Sequence, residues 1–494
     1  MAPELVAIIK HDCPVCVELL PALDAAAIGG APLRIVSQSG GDDTAALWER
    51  LGLSAPVEID EELALSVRYD PDAVPTVLLL DGGEERGRVE GLARDRLADL
   101  ASAAGVALRL EGLPAHRPGC ASRTRDPLIA ATLAVRAARS DGRLRSRSLR
   151  LGAHEDPHEA LDERGLTDGL PVVPPTPERV VAMLEGTRRH PQDVVGIVPP
   201  YGGTATVEKV AINAVMAGCR PEHLPLALAA VEAACEERFT MHGLLATTMP
   251  VGPLIVASGP LTERVGMNAR GNCLGQGNRA NLSIGRTLQL VVRNIGGGRP
   301  QLEDRAAHGN PGKVSSCFAE LLDGSPWEPL SADRGFRADE TTVTLWAAEA
   351  PRVIVDQIAR DAESLCASFA LALQSIAHPK LPILFDAVLV VGPEHGRILR
   401  EAGWDRAQTR AELMRLTTRR IGDMLRGAGG SAEGLDPELF GGNPDGTVPK
   451  FVGPDRIGLV HAGGDAGLFS MVYGTWVSGD IGSTPVTRSV EPWM

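Results

Sequence analysis

The chain has 494 residues, 44% of them hydrophobic and 23% charged, with a formal net charge of -14 at pH 7. That length exceeds one hydrophobic core and calls for two or three globular domains, while the acidic balance argues against general binding to nucleic acid or to anionic membranes, which reward clustered positive charge. No run approaches the ~20 apolar residues of a membrane helix, and the first residues lack a charged segment leading into an apolar core and a small-residue cleavage site; the expectation is a soluble, cytoplasmic protein with neither nucleic acid nor membrane as partner.

In chain order, residues 5–9 read as a strand and residues 17–27 as a helix, with Cys13-Pro14-Val15-Cys16 between them. Two thiols separated by two residues at a helix start form and break a small disulfide. The first lies where free backbone N–H groups and the positive end of the helix dipole favour thiolate. Cys13 is therefore the candidate nucleophile and Cys16 the resolving thiol. A zinc half-site would need a second Cys or His pair at ligand spacing, and no other CxxC exists. Residues 33–36 then read as a strand, 44–51 as a helix, 76–80 and 86–89 as strands, and 93–104 as a helix. Val74-Pro75-Thr76 stands just before the third strand, where a cis proline would bring its backbone against a dithiol.

This order of elements, with CxxC at the first helix and Val-Pro-Thr before the third strand, resembles the thioredoxin/glutaredoxin superfamily over residues 1–108 only. The resemblance implies that Cys13 attacks a disulfide, that Cys16 resolves it, and that the Pro75 loop docks the substrate. The Cys-Pro-x-Cys order is glutaredoxin-like, whereas the Asp81-Gly82-Gly83 turn and the strand after it are closer to thioredoxin, and His11-Asp12 replaces the usual aromatic approach. Direction of electron flow stays open, as does the reductant, for which an external thiol is one candidate partner.

Residues 112–126 are rich in Pro and Arg, and residues 136–150 are basic. The stretch 109–150 is thus expected as a linker, followed by a large α/β domain over 151–494. Residues 171–177 and 199–203 are proline-containing loops. Helices are expected over 207–217 and 224–235, a strand over 254–258 and a helix over 284–295. Strands over 387–391 and 457–461 are each followed by a glycine turn, the second being Gly463-Gly464-Asp465-Ala466-Gly467. The pattern allows two subdomains divided near residue 340, and no internal repeat is legible. The fold class is α/β, a thioredoxin-like domain followed by a large α/β region.

Eight cysteines are spread along the chain without framework spacing outside the first pair, so structural disulfides are not expected in a reducing compartment. Gly463, Gly464 and Gly467 are candidates to hold a carboxylate or phosphate on backbone N–H groups; the simpler alternative is a tight turn. Asn272, Cys273 and Arg279 lie in a Gly- and Asn-rich segment, and His308 and Lys313 precede Cys317, where a neighbouring cation would lower the thiol pKa. The two segments together form a candidate site wall. Cys219 sits at a break between helices beside Arg220 and His223. Cys235 and Cys366 read as packing residues. Cys120 lies among Arg117, Arg123 and Arg125, and a mobile linker would carry it to the Cys13/Cys16 pair. No residue set has metal-ligand spacing, no nucleotide fingerprint is present, and no cofactor or metal is expected.

The reading that follows is a thiol-dependent oxidoreductase whose N-terminal CxxC domain reduces a thiol or adduct in the fused larger domain, with Cys120, Cys219, Cys273 and Cys317 as candidate acceptors and a small molecule or thiol as substrate. One alternative is a thiol-dependent lyase or hydrolase, cleaving carbon–sulfur or metal–carbon bonds, that the redox domain maintains. The other is a non-catalytic binding protein with a degenerate redox domain. Oligomeric state is not legible.

Overall fold

The computed structural model of the chain describes residues 3–494, and it divides into two compact units between Ser140 and Asp141. No helix among the described residues is long and apolar enough to cross a membrane.

The first unit is built on a five-stranded sheet in the order β3-β2-β1-β5-β6, from β1 (Glu4–Ile9), β2 (Leu33–Ser37), β3 (Val57–Ile59), β5 (Thr76–Asp81) and β6 (Glu84–Glu90). Helices α1 (Pro14–Ile28), α2 (Gly41–Leu51), α3 (Ala64–Tyr69) and α4 (Arg94–Ala103) complete it. β1 is central, parallel to β2 and antiparallel to β5, which is why Leu5 through Ile9 are all at most 1% exposed and the strand reads as a continuous apolar run rather than an alternating one. Proline at the start of α1 costs nothing, because the first N–H groups of a helix have no intrahelical partner. This is the thioredoxin-like arrangement that the opening stretch resembles.

The expected linker over 109–150 is a correction: most of it is folded onto the first unit. β8 (His116–Arg117) pairs with β7 (Leu92–Ala93), β9 (Cys120–Ala121) pairs with β4 (Ala73–Val74), and α5 (Pro127–Ser140) closes the unit. Short strands and capping side chains hold residues 116–126, whose Pro- and Arg-rich composition gives no apolar periodicity to read.

The second unit opens with α6 (Pro157–Glu163), α7 (Pro177–Leu184), the hairpin β10 (Val194–Val198) and β11 (Gly203–Thr206), α8 (Val207–Ala217), α9 (Leu224–Ala234) and α10 (Met241–Ala246). There follow β12 (Gly252–Ser258), α11 (Leu261–Arg264), α12 (Arg279–Val291), β13 (Cys317–Ala319), α13 (Leu330–Asp333), β14 (Thr342–Ala348) and β15 (Arg352–Val355). The chain continues through α14 (Ala362–Gln374), β16 (Phe385–Val391), α15 (Pro393–Glu401), α16 (Arg406–Thr417), the short pair β17 (Arg419–Arg420) and β18 (Thr447–Val448), then β19 (Ile457–His461), β20 (Phe469–Val477) and β21 (Val486–Ser489).

Its main sheet runs β13-β12-β14-β20-β16-β19, with β15 added to β20 and β21 to β14. The order is palindromic, and the register repeats. Ile255 faces Cys317 on its parallel neighbour and Leu345 on its antiparallel one; Val388 faces Gly458 and Tyr473 in the same two relations. Each half then gives its last strand to the other half. The sheet of the second unit thus repeats one four-strand arrangement: a central strand, a parallel partner, an antiparallel partner and a last strand exchanged between the halves. The division expected near residue 340 does not separate domains, because the exchanged strands and shared sheet keep both halves in one unit.

Leu254, Phe318, Trp346, Val388, Val460 and Tyr473, one from each strand of the path, pack into a single inner cluster. The outer faces carry one cluster with α8, α9 and α12 and another with α14, α15 and α16. The sheet curls far enough for the Leu321 N–H beyond β13 to donate to His461 O on β19 at 2.8 Å.

One sequence trace of the duplication is a Gly-Pro pair after β12 and β16. A Cβ on Gly259, whose φ is +118°, would lie 2.6 Å from Glu340 O, just before β14, and one on Gly392 would overlap Phe469 O, at the start of β20. Replacing either glycine by alanine is expected to destabilise the second unit by about 2 kcal/mol, since overpacking against fixed backbone has no cheap relaxation. Urea unfolding of the full chain measures this, and two undiminished midpoints would contradict the equivalence.

Candidate functional site

Cys13 is the N-cap of α1, and its Sγ accepts from the Cys16 N–H at 3.3 Å. As a thiol it donates to Val74 O, also at 3.3 Å. Val74 is joined to Pro75 by a cis peptide bond, an isomer that sequence does not reveal, and its carbonyl faces the nucleophile. Cys13 is 0% exposed, yet its pKa is lowered to about 5. The largest cause is the hydrogen bond from the Cys16 thiol; burial opposes it, and the Cys120 thiol and the backbone N–H groups of Cys16 and Cys120 add to the lowering. Cys16 moves the other way, pushed well up first by burial and then by the bond it donates to Cys13 and the charge there.

Cys120 thus comes to the pair, though not on a mobile tether. β9 lies antiparallel to β4 with Cys120 opposite Val74. A Cβ on Gly119 would stand 2.8 Å from Val74 O, and one on Gly91 2.7 Å from Gly119 N, so the two glycines permit a backbone-to-backbone approach that no other residue allows. Buried Gln38 fastens the next turn: its Nε2 donates to Ser66 Oγ at 3.0 Å and to Ser122 Oγ at 2.8 Å, and its Oε1 accepts from the Arg123 N–H at 3.0 Å. Arg117 pairs with Glu18, and Arg125 with Asp72 at 2.7 Å. Burial and the bond it donates to Cys13 raise the Cys120 pKa. A cleft of about 600 Å³ is lined by Lys10 and His11, ahead of the pair, and by Ser39, Asp43, Arg123 and Arg125 among others, while neither Cys13 nor Cys16 lines it.

In the second unit the predicted residues separate into two places. Asn272 and Cys273 line a cleft of about 290 Å³ together with Gly463, Gly464 and Gly467, and its wall includes Val390 and Ala462 of the inner cluster. The glycine turn is not an open anion cradle: the Gly463 N–H donates to Ala269 O at 2.9 Å and the Gly467 N–H to Glu394 Oε2 at 3.1 Å. Arg279 points elsewhere, donating to Gly218 O at 2.9 Å. His308 and Lys313 line a separate cleft of about 660 Å³, where Lys313 pairs with Asp304 at 2.6 Å. A single wall made of both segments is therefore corrected to two clefts.

Cys219 and Cys317 belong to the outer apolar cluster rather than to either cleft. Burial raises both pKa values. His223 does not serve Cys219 as a base; it is 2% exposed and accepts from the Arg220 N–H through Nδ1 at 3.1 Å. Burial also pushes Cys273 up to about 11, and Cys235 and Cys366 to about 12. The residues that sequence reasoning missed are Gln38 and Val74. Val74 was visible as the residue before Pro75; Gln38, a polar side chain directly after a buried strand, gave only a weak signal.

No protein-family model matches the chain, and no curated protein matches it. Solved structures similar to part of it include StoA from Bacillus subtilis, with 17% identity over 20% of this chain and 82% of that chain and a TM-score of 0.18. A secreted Mycobacterium tuberculosis disulfide oxidoreductase homologous to E. coli DsbE gives 16% identity over 21% of this chain and 81% of that one, TM-score 0.18. A thioredoxin described as putative from Neisseria meningitidis gives 18%, 21% and 75%, TM-score 0.19. The N-terminal unit is thioredoxin-like in its own strand order, proline geometry and dithiol position, and chemically its arrangement supports thiol–disulfide exchange.

Gln38→Ala is expected to leave Ser122 and the Arg123 N–H without their buried partner, at a cost of about 1–3 kcal/mol, and to speed amide exchange over residues 116–125. Hydrogen-exchange mass spectrometry reads this directly, and unchanged protection there would show that Gln38 does not fasten the segment.

Proposed function

We propose that the chain is a thiol–disulfide oxidoreductase in which Cys13 attacks a disulfide and Cys16 resolves the adduct. The observation that carries this reading is the placement of Cys13 at the N-cap of α1, its Sγ accepting from the Cys16 N–H at 3.3 Å and lying 3.3 Å from Val74 O next to Pro75; in these surroundings Cys13 is lowered to about 5 and Cys16 is raised. At neutral pH one is a thiolate and the other keeps its proton. Attack by Cys13 forms its bond to one substrate sulfur and expels the other as thiolate, which takes a proton. Charge on Cys13 is then gone, so part of what held Cys16 protonated disappears. Cys16 loses its proton and attacks Cys13 Sγ, releasing the second substrate thiol and leaving the Cys13–Cys16 disulfide.

For the second unit we propose the role of recipient of reducing equivalents, with Cys273 as the accepting sulfur. It is the candidate thiol that lines a cleft there, whereas Cys219 and Cys317 lie in the apolar cluster. With its pKa at about 11, Cys273 is protonated at neutral pH and does not begin an attack, but an oxidised or adducted Cys273 is a substrate for Cys13. The upward shifts of Cys219, Cys235, Cys273, Cys317 and Cys366 favour this reading over a lyase or hydrolase with its own thiolate in the second unit.

With dithiothreitol as reductant, reduction of insulin disulfides by the full chain is expected to fall at least about 10²-fold in Cys13→Ser, because the attacking thiolate is lost; undiminished turnover would reject the reading. After brief peroxide treatment, recovery of Cys273 thiol followed by differential alkylation is expected to be slower in Cys13→Ser than in the unaltered chain. Equal recovery would remove Cys273 as the recipient.

A further inference from the structure

We propose that Cys120 is a third redox residue of the first unit, a second resolving thiol that takes Cys13 out of a mixed disulfide by forming a Cys13–Cys120 disulfide. The proposal rests on Cys13 being the nucleophile.

The strap that carries Cys120 occupies the backbone edge leading into the cis proline. Antiparallel pairing of β9 with β4 places Cys120 opposite Val74, whose carbonyl is also the one that Cys13 reaches at 3.3 Å. An incoming disulfide substrate that adds to this edge would bring its own cysteine to the same spot. Cys120 stands there as a tethered version of it, its strand position fixed opposite the residue whose carbonyl the Cys13 thiol reaches. The seat is built rather than incidental: Gly91 and Gly119 have no room for a Cβ, and Gln38 holds the following turn at two points.

Exposure separates the two resolving thiols. Cys16 is 0% exposed in the first turn of α1, and Cys120 is only partly buried. A base in solvent reaches Cys120 directly, whereas Cys16 must lose its proton inside the core. The exchange balances without an added reagent other than the disulfide substrate. In the mixed disulfide Cys13–S–S–R, the Cys120 thiolate attacks Cys13 Sγ; the Cys13–Cys120 bond forms, the bond to R breaks, and RS⁻ leaves and is protonated. Cys16 thiolate then attacks the same Cys13 sulfur, forming Cys13–Cys16 and returning Cys120 as a thiol. Two electrons pass from the protein to the substrate in either route.

The test uses the full chain with glutathione disulfide as the oxidant and non-reducing peptide mass spectrometry as the readout. In Cys16→Ser, the Cys13–glutathione adduct is expected to collapse to a Cys13–Cys120 cross-link. In Cys16→Ser with Cys120→Ser the adduct is expected to persist at least about tenfold longer, having no internal thiol to displace it. Cys120→Ala in the same background serves as a second variant, with the same persistence expected. A Cys16→Ser adduct that is as long-lived as in the double variants, with Cys120 still alkylatable, would overturn the role of Cys120 while leaving the Cys13–Cys16 reading intact. That underlying reading fails separately if the unaltered chain forms no Cys13–Cys16 disulfide under the same treatment.

Discussion

A negatively charged sulfur without solvent exposure is the constraint on which the first unit depends. Burial alone drives a thiol pKa up, as every cysteine of the second unit shows. Cys13 departs from that rule: the Cys16 N–H donates to its sulfur at 3.3 Å, and the neighbouring Cys16 and Cys120 groups lower its pKa against burial. Desolvation strengthens hydrogen bonds to an ion once they are made, so the same enclosure that penalises the charge makes its donors count. The N-cap position of Cys13 and the glycine contact that seats β9 serve that one atom, whereas Val74 O, 3.3 Å away, accepts from Cys13 only while the sulfur is protonated.

The sequence carried much of this. The places of Cys13, Cys16 and Pro75 at a helix start and before a strand were legible because neighbouring residues announce both. Cys120 was legible as a thiol among arginines, but its surroundings misled as to structure. A segment held by short strand pairs and by Gln38 has neither helical nor strand periodicity, so it reads as linker although it is part of the site. Lys313 and Cys317 show the opposite failure: four residues apart in the chain, they have different partners, Lys313 the carboxylate of Asp304 and Cys317 the apolar cluster.

The duplication of the second unit lay beyond sequence reading for a related reason. Equivalent places in the two halves hold unlike residues, Cys317 against Gly458 and Leu345 against Tyr473. What repeats is hydrogen-bond register, which many apolar residues satisfy equally well. Gly259-Pro260 and Gly392-Pro393 persist because a strand end pressed against the next backbone admits no Cβ. The cleft beside Cys273 forms where the Asn272 and Gly463 loops close over part of the inner cluster, from segments distant in sequence, and no local pattern could announce it.

The central claim, a Cys13 thiolate held by donors from both flanking thiols, is tested most directly by following thiolate ultraviolet absorbance against pH in the reduced full chain and in Cys13→Ser. The sign is fixed by the downward shift: one thiolate is present at neutral pH and is lost as pH falls through about 5, and the corresponding step is missing from Cys13→Ser. A reduced chain that shows no thiolate until the pH rises to about 8.5, the range of an ordinary cysteine, would contradict it.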